Sequence, residues 1–453
     1  MRFTRRLPDR NFVFIVILTA GCAAVSCSSE DDGSGLERPD AGWEASTPDG
    51  EAEPSDAGFD VTMKDVASPP FDGGPLPVVC GPGPCAKSLV TTLPSSDYDY
   101  DLQEGYCALL DDGTVACWGA NEAGQLGRGD DLDDAVPARV VGLSDVVRLD
   151  HTCALDKSGG VWCWGTGPFL RDDAGASTTE RTPVKLPLPP ATSVGVSVDV
   201  GCAVVDTGVV CWGANRNAQV APLSTDPALD VLPPQPIPLP SGAPVRDVVV
   251  GKAAFVVRED GVTLSWGANP PLARASSLNP DPYPTPLALG SVSSIDLRRD
   301  CGCATVGGIG YCWGPGTRVT PSHPPLDRAL PEPVVAPEPL VQIATTKPEA
   351  YFDISTPVNK PQRWCGVGAS GAVYCWGINA NGQVGDGTKE AALQAKKVEG
   401  LPSTAAQVKT LTDSTCALLT NGKVYCWGAN YYGQLGNGKL KVRSLVPEEV
   451  LLP

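Results

Sequence analysis

Hydrophobic and polar positions alternate in short runs through most of the chain, and residues that favour turns separate the runs. Strand side chains point alternately to the two faces of a sheet. The turn residues Asp111-Asp112-Gly113 tolerate left-handed backbone angles. Around this turn the alternation predicts a β-hairpin with residue 107 opposite residue 117. Its first face would carry Cys107, Leu109, Val115 and Cys117, and its second face Ala108, Ala116 and Trp118.

The same hairpin pattern occurs seven times and ends each time in Trp-Gly. The sequence from Cys107 to Gly127 returns nearly unchanged from Cys416 to Gly436, and a third full copy runs from Cys365 to Gly385. The Trp-to-Trp intervals are 46, 48, 54, 47, 63 and 51 residues, and repeats of this length are typical of propellers and arrays. The repeated pairs are Trp118-Gly119, Trp164-Gly165, Trp212-Gly213, Trp266-Gly267, Trp313-Gly314, Trp376-Gly377 and Trp427-Gly428.

A second pattern precedes most hairpins, as in residues 136–147, and predicts the remaining strands of a four-stranded blade. The hairpin together with Gly124-Gln125-Leu126-Gly127 resembles the signature of the RCC1 (regulator of chromosome condensation) repeat family. That resemblance covers residues 79–453, is specific in copies one, six and seven, and is weaker in copies two to five. It implies an all-β fold, a seven-bladed β-propeller.

The chain ends suggest how the ring closes. The last hairpin is followed by the strand-like residues 446–450, and the first is preceded by the strand-like residues 88–92. We expect the C-terminal strand to complete the N-terminal blade, so that both ends of the chain share one sheet and no open sheet edge remains. We also expect the seven repeat tryptophans to be buried between blades, and the alternative is that they form a sugar-stacking surface.

Most of the seventeen cysteines fall into pairs that straddle the hairpins. The fourth copy lacks both members and has Phe255 and Ser265 instead, which favours covalent pairs over independent core thiols. The alternative, buried thiols in a reducing compartment, conflicts with an export signal. The predicted disulfides are Cys107–Cys117, Cys153–Cys163, Cys202–Cys211, Cys303–Cys312, Cys365–Cys375, Cys416–Cys426 and Cys80–Cys85. Cys301 is left over.

The N-terminus has the pattern of an export signal. Four arginines precede an apolar stretch from Phe12 to Leu18, which is shorter than a membrane-spanning helix. Small residues then lead to Cys22 and again to Cys27, and both sites resemble the lipobox of bacterial lipoproteins. Cys22 is the favoured lipidation site and Cys27 the alternative, and an ordinary cleaved signal is the third possibility. We therefore predict a signal peptide with lipobox at residues 1–27.

Residues 28–78 contain thirteen acidic and two basic residues and no hydrophobic period. They account for most of the net charge of −18. A segment of this composition cannot bury enough surface to offset its ordering entropy, so we predict a disordered tether. The propeller would then occupy residues 79–453. The acidity of the whole chain argues against nucleic acid as a partner.

The sequence contains few residues of the kinds that usually serve in catalysis or metal binding. The chain has two histidines, His151 and His323, and no phosphate-loop, G-x-S-x-G or H-E-x-x-H motif. Cys301 and Cys303 give a weak metal pattern. Arg128-Gly129-Asp130 spells a receptor-binding tripeptide, and residues 130–134 could ligate calcium, but an ordinary repeat loop explains both. We predict no catalytic residue, no metal and no cofactor.

These observations favour a monomeric, exported scaffold, lipid-anchored at the outer membrane or cell surface, that binds a protein partner at the propeller rim. Periplasmic or secreted forms are the alternative location. The family implies exchange-factor or β-lactamase-inhibitor roles only by fold-level analogy, and an exported chain would not meet a cytosolic GTPase. The rival hypotheses are a periplasmic or surface enzyme and a carbohydrate-binding module. A Pro-rich insertion at residues 315–361, with Tyr351 and Phe352, is a further candidate for binding.

Overall fold

The computed structural model describes residues 71, 73–93, 103, 105–167, 178–223, 231–298, 300–314, 330–346, 350–353, 356–359 and 363–453. The chain divides into two units, Met1–Asp65 and Val66–Pro453, and every described residue belongs to the second. All regular elements in the described ranges are β-strands, arranged as seven four-stranded sheets and one two-stranded hairpin. Within the same ranges, no helix is long and apolar enough to cross a membrane.

Each of the first four sheets is built from four consecutive strands. Blade 1 contains β1 (Ala86–Thr91), β2 (Gly105–Leu110), β3 (Val115–Gly119) and β4 (Asp134–Arg139). Blade 2 contains β5 (Val146–Asp150), β6 (Cys153–Asp156), β7 (Val161–Gly167) and β8 (Thr178–Lys185). Blade 3 contains β9 (Ala191–Val196), β10 (Val200–Val205), β11 (Gly208–Ala214) and β12 (Val231–Pro236). Blade 4 contains β13 (Val245–Val250), β14 (Ala253–Arg258), β15 (Thr263–Gly267) and β16 (Asp281–Pro286).

The remaining three sheets follow the same plan, with one inserted hairpin. Blade 5 contains β17 (Val292–Arg298), β18 (Cys301–Val306), β19 (Ile309–Trp313) and β20 (Glu332–Pro333). The inserted hairpin is β22 (Ala350–Asp353) with β23 (Thr356–Asn359). Blade 6 contains β21 (Leu340–Thr345), β24 (Trp364–Gly368), β25 (Val373–Gly377) and β26 (Ala392–Lys397). Blade 7 contains β27 (Ala405–Thr410), β28 (Ser414–Leu419), β29 (Val424–Gly428) and β30 (Ser444–Glu449).

The seven sheets form a closed ring, so the predicted seven-bladed propeller is confirmed. The first strand of every blade contacts the first strand of the next blade, and β27 of blade 7 contacts β1 of blade 1. The first strands are therefore innermost and line a central channel, and the fourth strands lie at the outside. Antiparallel order within each blade then defines two faces of the ring. The turn face carries the hairpin turns, such as residues 111–114, and the loop face carries the connections between third and fourth strands, such as residues 120–133.

The predicted mode of ring closure is wrong. Strand β30 pairs with β29 inside blade 7, and blade 1 is complete without it. The reason is that residues 86–91 and 134–139 already supply the inner and outer strands of blade 1, so no position is vacant. The ring closes by packing and by backbone bonds between blades, in which Val79 N–H donates to Thr420 O at 2.8 Å and Ala86 N–H to Gly422 O at 2.9 Å.

Six of the seven repeated Trp-Gly pairs lie at a bulge. In six of the seven sheets the ladder between the third and fourth strands shifts register between the residue before the Trp and the Gly after it. All seven of these glycines have positive φ, from 73° at Gly165 to 116° at Gly267, a conformation that other residues adopt at a cost. A bulge re-aims the side chain beside it, so the Gly allows the Trp to leave the regular alternation of the strand.

The seven tryptophans are buried between blades, as predicted, and six of them are 0 or 1 % exposed. Several donate their indole N–H to a backbone carbonyl of the preceding blade. Trp164 donates to Gln125 O at 2.8 Å, and Trp427 donates to Gln383 O at 2.9 Å. Trp118 donates to Gln434 O at 3.0 Å, which applies the same contact to the seam between blades 7 and 1. The tryptophans therefore hold the ring together and leave no indole row for stacking sugars.

The predicted insertion at residues 315–361 is not one segment. Residues 332–333 form β20 and residues 340–345 form β21, which are regular parts of blades 5 and 6. The extra length falls into two places, the connection from β19 to β20 and the connection from β21 to β24, where the hairpin β22–β23 lies. Both connections belong to the loop face.

Candidate functional site: the central channel and the loop face

The seven inner strands are sheet edges, and neighbouring blades satisfy their exposed backbone groups. An edge strand has unpaired N–H and C=O groups that need partners. Asp150 Oδ2 accepts from Val196 N–H at 2.8 Å, and Asp296 Oδ2 accepts from Thr345 N–H at 3.0 Å. Gln342 Oε1 accepts from Val408 N–H at 2.7 Å. These side chains belong to the blade before the strand they cap, so each stitches two blades together at the channel wall.

Arg298 reaches across the channel near the loop face. This residue ends the inner strand of blade 5, and its guanidinium reaches three other blades. Nη1 donates to Thr91 Oγ1 at 3.0 Å in blade 1, and Nη2 donates to Thr410 O at 2.8 Å in blade 7, while Nε donates to the Thr345 carbonyl of blade 6 at 3.3 Å. One side chain thus spans the channel, and we call the residues that surround it, Thr91, Asp150, His151, Asp296, Arg298 and Lys409, the plug.

Charges in the plug are paired. Lys409 Nζ lies 3.1 Å from Asp296 Oδ1, and both side chains are largely buried. Burial alone would raise the pKa of Asp296, but Lys409 and Arg298 outweigh it and hold the pKa below its usual value. His151 contacts the Thr91 carbonyl through Nδ1 at 2.9 Å. Burial lowers the pKa of His151, the Asp150 carboxylate opposes this, and Arg298 and Lys409 add to it. His151 is therefore neutral at pH 7.

The loop face carries one exposed basic and apolar segment, residues 438–443 of blade 7, which we call the blade 7 loop. All six residues are exposed, and the sequence is Gly-Lys-Leu-Lys-Val-Arg. Leu440 and Val442 are 50 and 52 % exposed, and nearby Tyr431 is 51 % exposed. Three cations and three large apolar groups thus project together from a chain whose net charge is −18. The corresponding loop of blade 1 is acidic instead, with aspartates at residues 130, 131, 133 and 134.

The seven predicted disulfides are present, in Cys80–Cys85 and in the hairpins of every blade except blade 4. The six hairpin pairs have Cα–Cα distances of 4.0–4.1 Å, the close approach of opposite residues in a non-hydrogen-bonded pair. Cys301 is buried, takes part in none of these disulfides, and places Sγ 3.4 Å from the Thr346 carbonyl. Seven disulfides indicate a protein that folds in an oxidising, extracytoplasmic compartment.

The receptor-binding interpretation of residues 128–130 is not supported. Arg128 Nη1 lies 2.5 Å from Asp134 Oδ2, and its Nη2 donates to the Cys117 carbonyl inside the blade. Asp130 Oδ1 accepts from Asn121 Nδ2 at 2.7 Å. Asp131 pairs with Arg181. The tripeptide and the neighbouring aspartates are therefore engaged in holding the loop of blade 1, which also weakens the calcium interpretation. Predictions at Cys22, Cys27 and His323 lie outside the described residues.

The Gly-Gln-Leu-Gly segment makes a contact between blades that the sequence pattern did not predict. The carbonyl of its Gln receives the indole N–H of the next blade, and its last Gly lies against the same ring. A side chain at Gly127, Gly385 or Gly436 would come within 2.6–3.1 Å of the neighbouring Trp. The recurrence of this segment a fixed distance after Trp-Gly was the available signal, because a repeated loop sequence implies a repeated contact.

With the repeat geometry established, comparison with known proteins identifies its type. Residues 112–155, 149–169 and 413–434 match the regulator of chromosome condensation repeat. The chain carries RCC1 repeats. These matches fall in blades 1, 2 and 7, and each includes a Trp-Gly pair.

Several curated proteins are similar to this chain in sequence. The chain is 28 % identical to the ultraviolet-B receptor UVR8 of Arabidopsis thaliana over 367 residues, which cover 76 % of this chain and 68 % of UVR8. It is 26 % identical to protein pim1 of Schizosaccharomyces pombe over 335 residues, covering 62 % of this chain and 59 % of pim1. A match of 26 % to the human E3 ubiquitin-protein ligase HERC2 covers 46 % of this chain but 4 % of that protein.

Solved structures show the same fold at lower identity. Human WBSCR16 superimposes with a TM-score of 0.60 at 18 % identity, covering 75 % of this chain and 95 % of that chain. Prp20p from Saccharomyces cerevisiae superimposes with a TM-score of 0.57 at 19 % identity, covering 76 % and 87 %. The structure of Prp20p is described together with its binding to Gsp1p and histones. An RCC1-like propeller is a fold that is consistent with a scaffold for protein interactions.

Proposed function

We propose that this protein is an exported, lipid-anchored scaffold that binds a protein partner through its loop face. The observation that carries the proposal is the exposed blade 7 loop, which combines Lys439, Lys441 and Arg443 with Leu440 and Val442 on an otherwise acidic chain. Exposed apolar groups rimmed by charge mark interaction sites on soluble proteins. The fold, the disulfides and the binding described for Prp20p support the same interpretation.

The chemistry of the blade 7 loop favours a partner with an acidic and partly apolar surface. Lys439 is already paired with Glu448 at 3.0 Å, so Lys441 and Arg443 carry the charge that a partner would meet. Leu440, Val442 and Tyr431 supply apolar area beside that charge. Complementary charge speeds association and fixes orientation, whereas burial of the apolar groups supplies most of the affinity.

The described part of the N-terminal segment packs on the turn face, opposite the blade 7 loop. Residues 73–85 run along the turn face, where Cys85 lies against Gly422 and Leu76 lies against Gly371. Phe71 lies against Gly308, so the chain reaches the propeller on the turn face of blade 5.

Cross-linking in cells that produce the full chain tests the partner surface. We expect a discrete cross-linked species from the wild-type protein and loss of that species in K441E/R443E, because the charge that attracts the partner is reversed. The matched control is K396E/K397E, which makes the same charge change at two exposed lysines of β26. An identical pattern from all three proteins would refute the blade 7 loop as the binding surface.

Metabolic labelling with a radioactive fatty acid tests the anchor. We expect label on the wild-type protein, no label on C22S and unchanged label on C27S, because lipid attachment needs the thiol that becomes residue one of the mature chain. The opposite result for the two variants would move the site to Cys27. An unlabelled wild-type protein in the culture medium would refute lipid anchoring and leave the scaffold proposal to its own test.

A further inference from the structure

The half of the channel below the plug, towards the turn face, contains a cavity of about 520 Å³. Inner strands of blades 1, 4, 5, 6 and 7 form its walls, and the N-terminal segment with Leu76 and Val78 lies at its opening. This volume is within the range of sites that bind small organic molecules. The plug lies at the other end of the channel, towards the loop face.

Two of the positively charged side chains that line the pocket form no ion pair with described residues. Lys87 of blade 1 and Arg246 of blade 4 both line it and are exposed to solvent. The aspartate that lines it, Asp247, is engaged by Arg148 and accepts from Ser193 Oγ at 2.8 Å. Lys87 and Arg246 form no ion pair within the part of the chain that the structure describes. Arg246 Nη2 donates a long hydrogen bond to Val292 O at 3.5 Å.

The pocket wall combines polar and apolar groups. Ser88 Oγ is buried in the wall and has no hydrogen-bond partner among the described residues. A buried hydroxyl in this state has an unused donor and acceptor. Val249, Ile295 and Leu418 contribute apolar surface close by. Unpaired cations at the opening and mixed walls inside suit a ligand with one anionic group and one apolar part.

We propose that this pocket binds a small organic anion, with its carboxylate or phosphate group attracted to Lys87 and Arg246 and its apolar part against Val249, Ile295 and Leu418. The pocket and the blade 7 loop lie on opposite faces of the ring. The proposal therefore does not depend on the protein partner, and each can fail without the other.

Isothermal titration calorimetry of the full chain with 4-phenylbutyrate and with phenyl phosphate tests the proposal. We expect saturable binding of at least one probe with a stoichiometry of one, weakened about tenfold or more in K87Q/R246Q. The relative affinity of the two probes then distinguishes a carboxylate ligand from a phosphate ligand. Binding should also weaken with added salt, because exposed charges are screened.

Three controls make the result specific. The neutral analogue 4-phenylbutanol should bind wild type and K87Q/R246Q equally, because it lacks the anionic group. K396Q/K397Q removes two cations outside the pocket and should bind the anions as wild type does. V249F leaves the cations in place and should lose binding by filling the pocket. Absence of saturable binding by either anion, or equal binding by wild type and K87Q/R246Q with both folded, would overturn the proposal.

Discussion

Arg363 shows how a single buried side chain joins two blades. It is 1 % exposed and lies at the start of β24 in blade 6. Its Nη2 donates to Ser414 O at 2.9 Å and to the Leu411 carbonyl, and its Nη1 donates to Gln383 O at 3.1 Å and to Thr415 Oγ1. A planar guanidinium presents several donors in a fixed geometry, which suits a cluster of carbonyls. The side chain therefore adds donors to a buried cluster of oxygens in blades 6 and 7, in which Ser414 O also accepts from Leu411 N–H and Gln383 O from the Trp427 indole.

We expect R363M to lower the free energy of unfolding by about 2–4 kcal/mol, because it removes the buried hydrogen bonds that the guanidinium donates to Leu411 O, Ser414 O, Gln383 O and Thr415 Oγ1. The control is R216M, since Arg216 is exposed and such surface changes usually fall within about 0.5 kcal/mol. Urea unfolding with the disulfides intact measures both. Equal unfolding midpoints for the two variants would show that water or rearranged side chains satisfy the carbonyls of blade 7.

His151 gives a prediction about pH. Its folded-state pKa is lowered, so the unfolded chain binds a proton near pH 6.5 when the folded chain does not. Its stabilising contribution is complete above that pH and decreases as the pH falls through 6.5 towards the folded pKa. The charged groups that face it are Asp150, Arg298 and Lys409.

Between pH 7.5 and 5 we expect H151Q to lose less stability than wild type, because the glutamine does not titrate. The other histidine of the chain provides the control, H323Q, which shows how much of the pH dependence His323 contributes. Thermal unfolding at a series of pH values measures the difference. A profile for H151Q parallel to that of wild type would contradict the lowered pKa.

At the scale of the hairpin, blade 4 shows why one repeat functions without a disulfide. Phe255 occupies the first cysteine position, is 0 % exposed and packs against Trp313 with ring centroids 5.8 Å apart. Ser265 occupies the second, and its hydroxyl donates to the Leu272 carbonyl at 2.6 Å. An aromatic contact and a hydrogen bond thus occupy the two positions that hold cysteines in the other blades. In the other six blades a disulfide occupies the same place.

The disulfide can be removed from blade 1 and introduced into blade 4 by substitution. We expect C107A/C117A to cost up to about 3 kcal/mol, the entropy of closing a hairpin-sized loop in the unfolded chain. We expect F255C/S265C to gain no net stability even when the new disulfide forms. Loss of a buried Phe typically costs about 3–5 kcal/mol, which offsets the cross-link. Denaturant unfolding and mass spectrometry after thiol alkylation check both variants, and a clear stabilisation of F255C/S265C would refute this account of blade 4.

The hairpins could be predicted from the sequence because their contacts are local and repeated. Cys107 and Cys117 are 10 residues apart, and the alternation of the strand fixes their pairing. The plug could not be predicted, since Arg298 contacts Thr91 and Thr410 across 207 and 112 residues with no repeated pattern to mark them. Ring closure failed for a related reason. Residues 446–450 have strand character, but that character does not show which neighbouring strand they pair with.

At the scale of the whole molecule, the seam between blades 7 and 1 uses the same indole-to-carbonyl contact as four other blade boundaries. Gly436 has a φ of 60° and follows Gln434, whose carbonyl accepts from Trp118 at 3.0 Å. A Cβ atom on Gly436 would lie 2.9 Å from Trp118 Nε1 and from Val450 Cγ1. Gly385 has the same relation to Trp427 within the continuous part of the ring, where its Cβ would lie 2.6 Å from Nε1. The first and last blades therefore meet at a boundary built like that between blades 6 and 7.

If the blade 7–blade 1 boundary is packed as closely as the blade 6–blade 7 boundary, G436A and G385A should destabilise the protein by similar amounts. Each variant combines backbone strain with overpacking, and overpacking typically costs about 1–3 kcal/mol. The control is G400A, because Gly400 has a φ of 84° but no atom within 4 Å of its added Cβ, so it reports the backbone cost alone. Urea unfolding measures all three variants. Hydrogen exchange of the Trp118 indole then shows whether G436A opens the seam locally. A cost for G436A no larger than that for G400A, with the G385A cost clearly larger, would mean that the ring is looser at its chain ends than at its other boundaries.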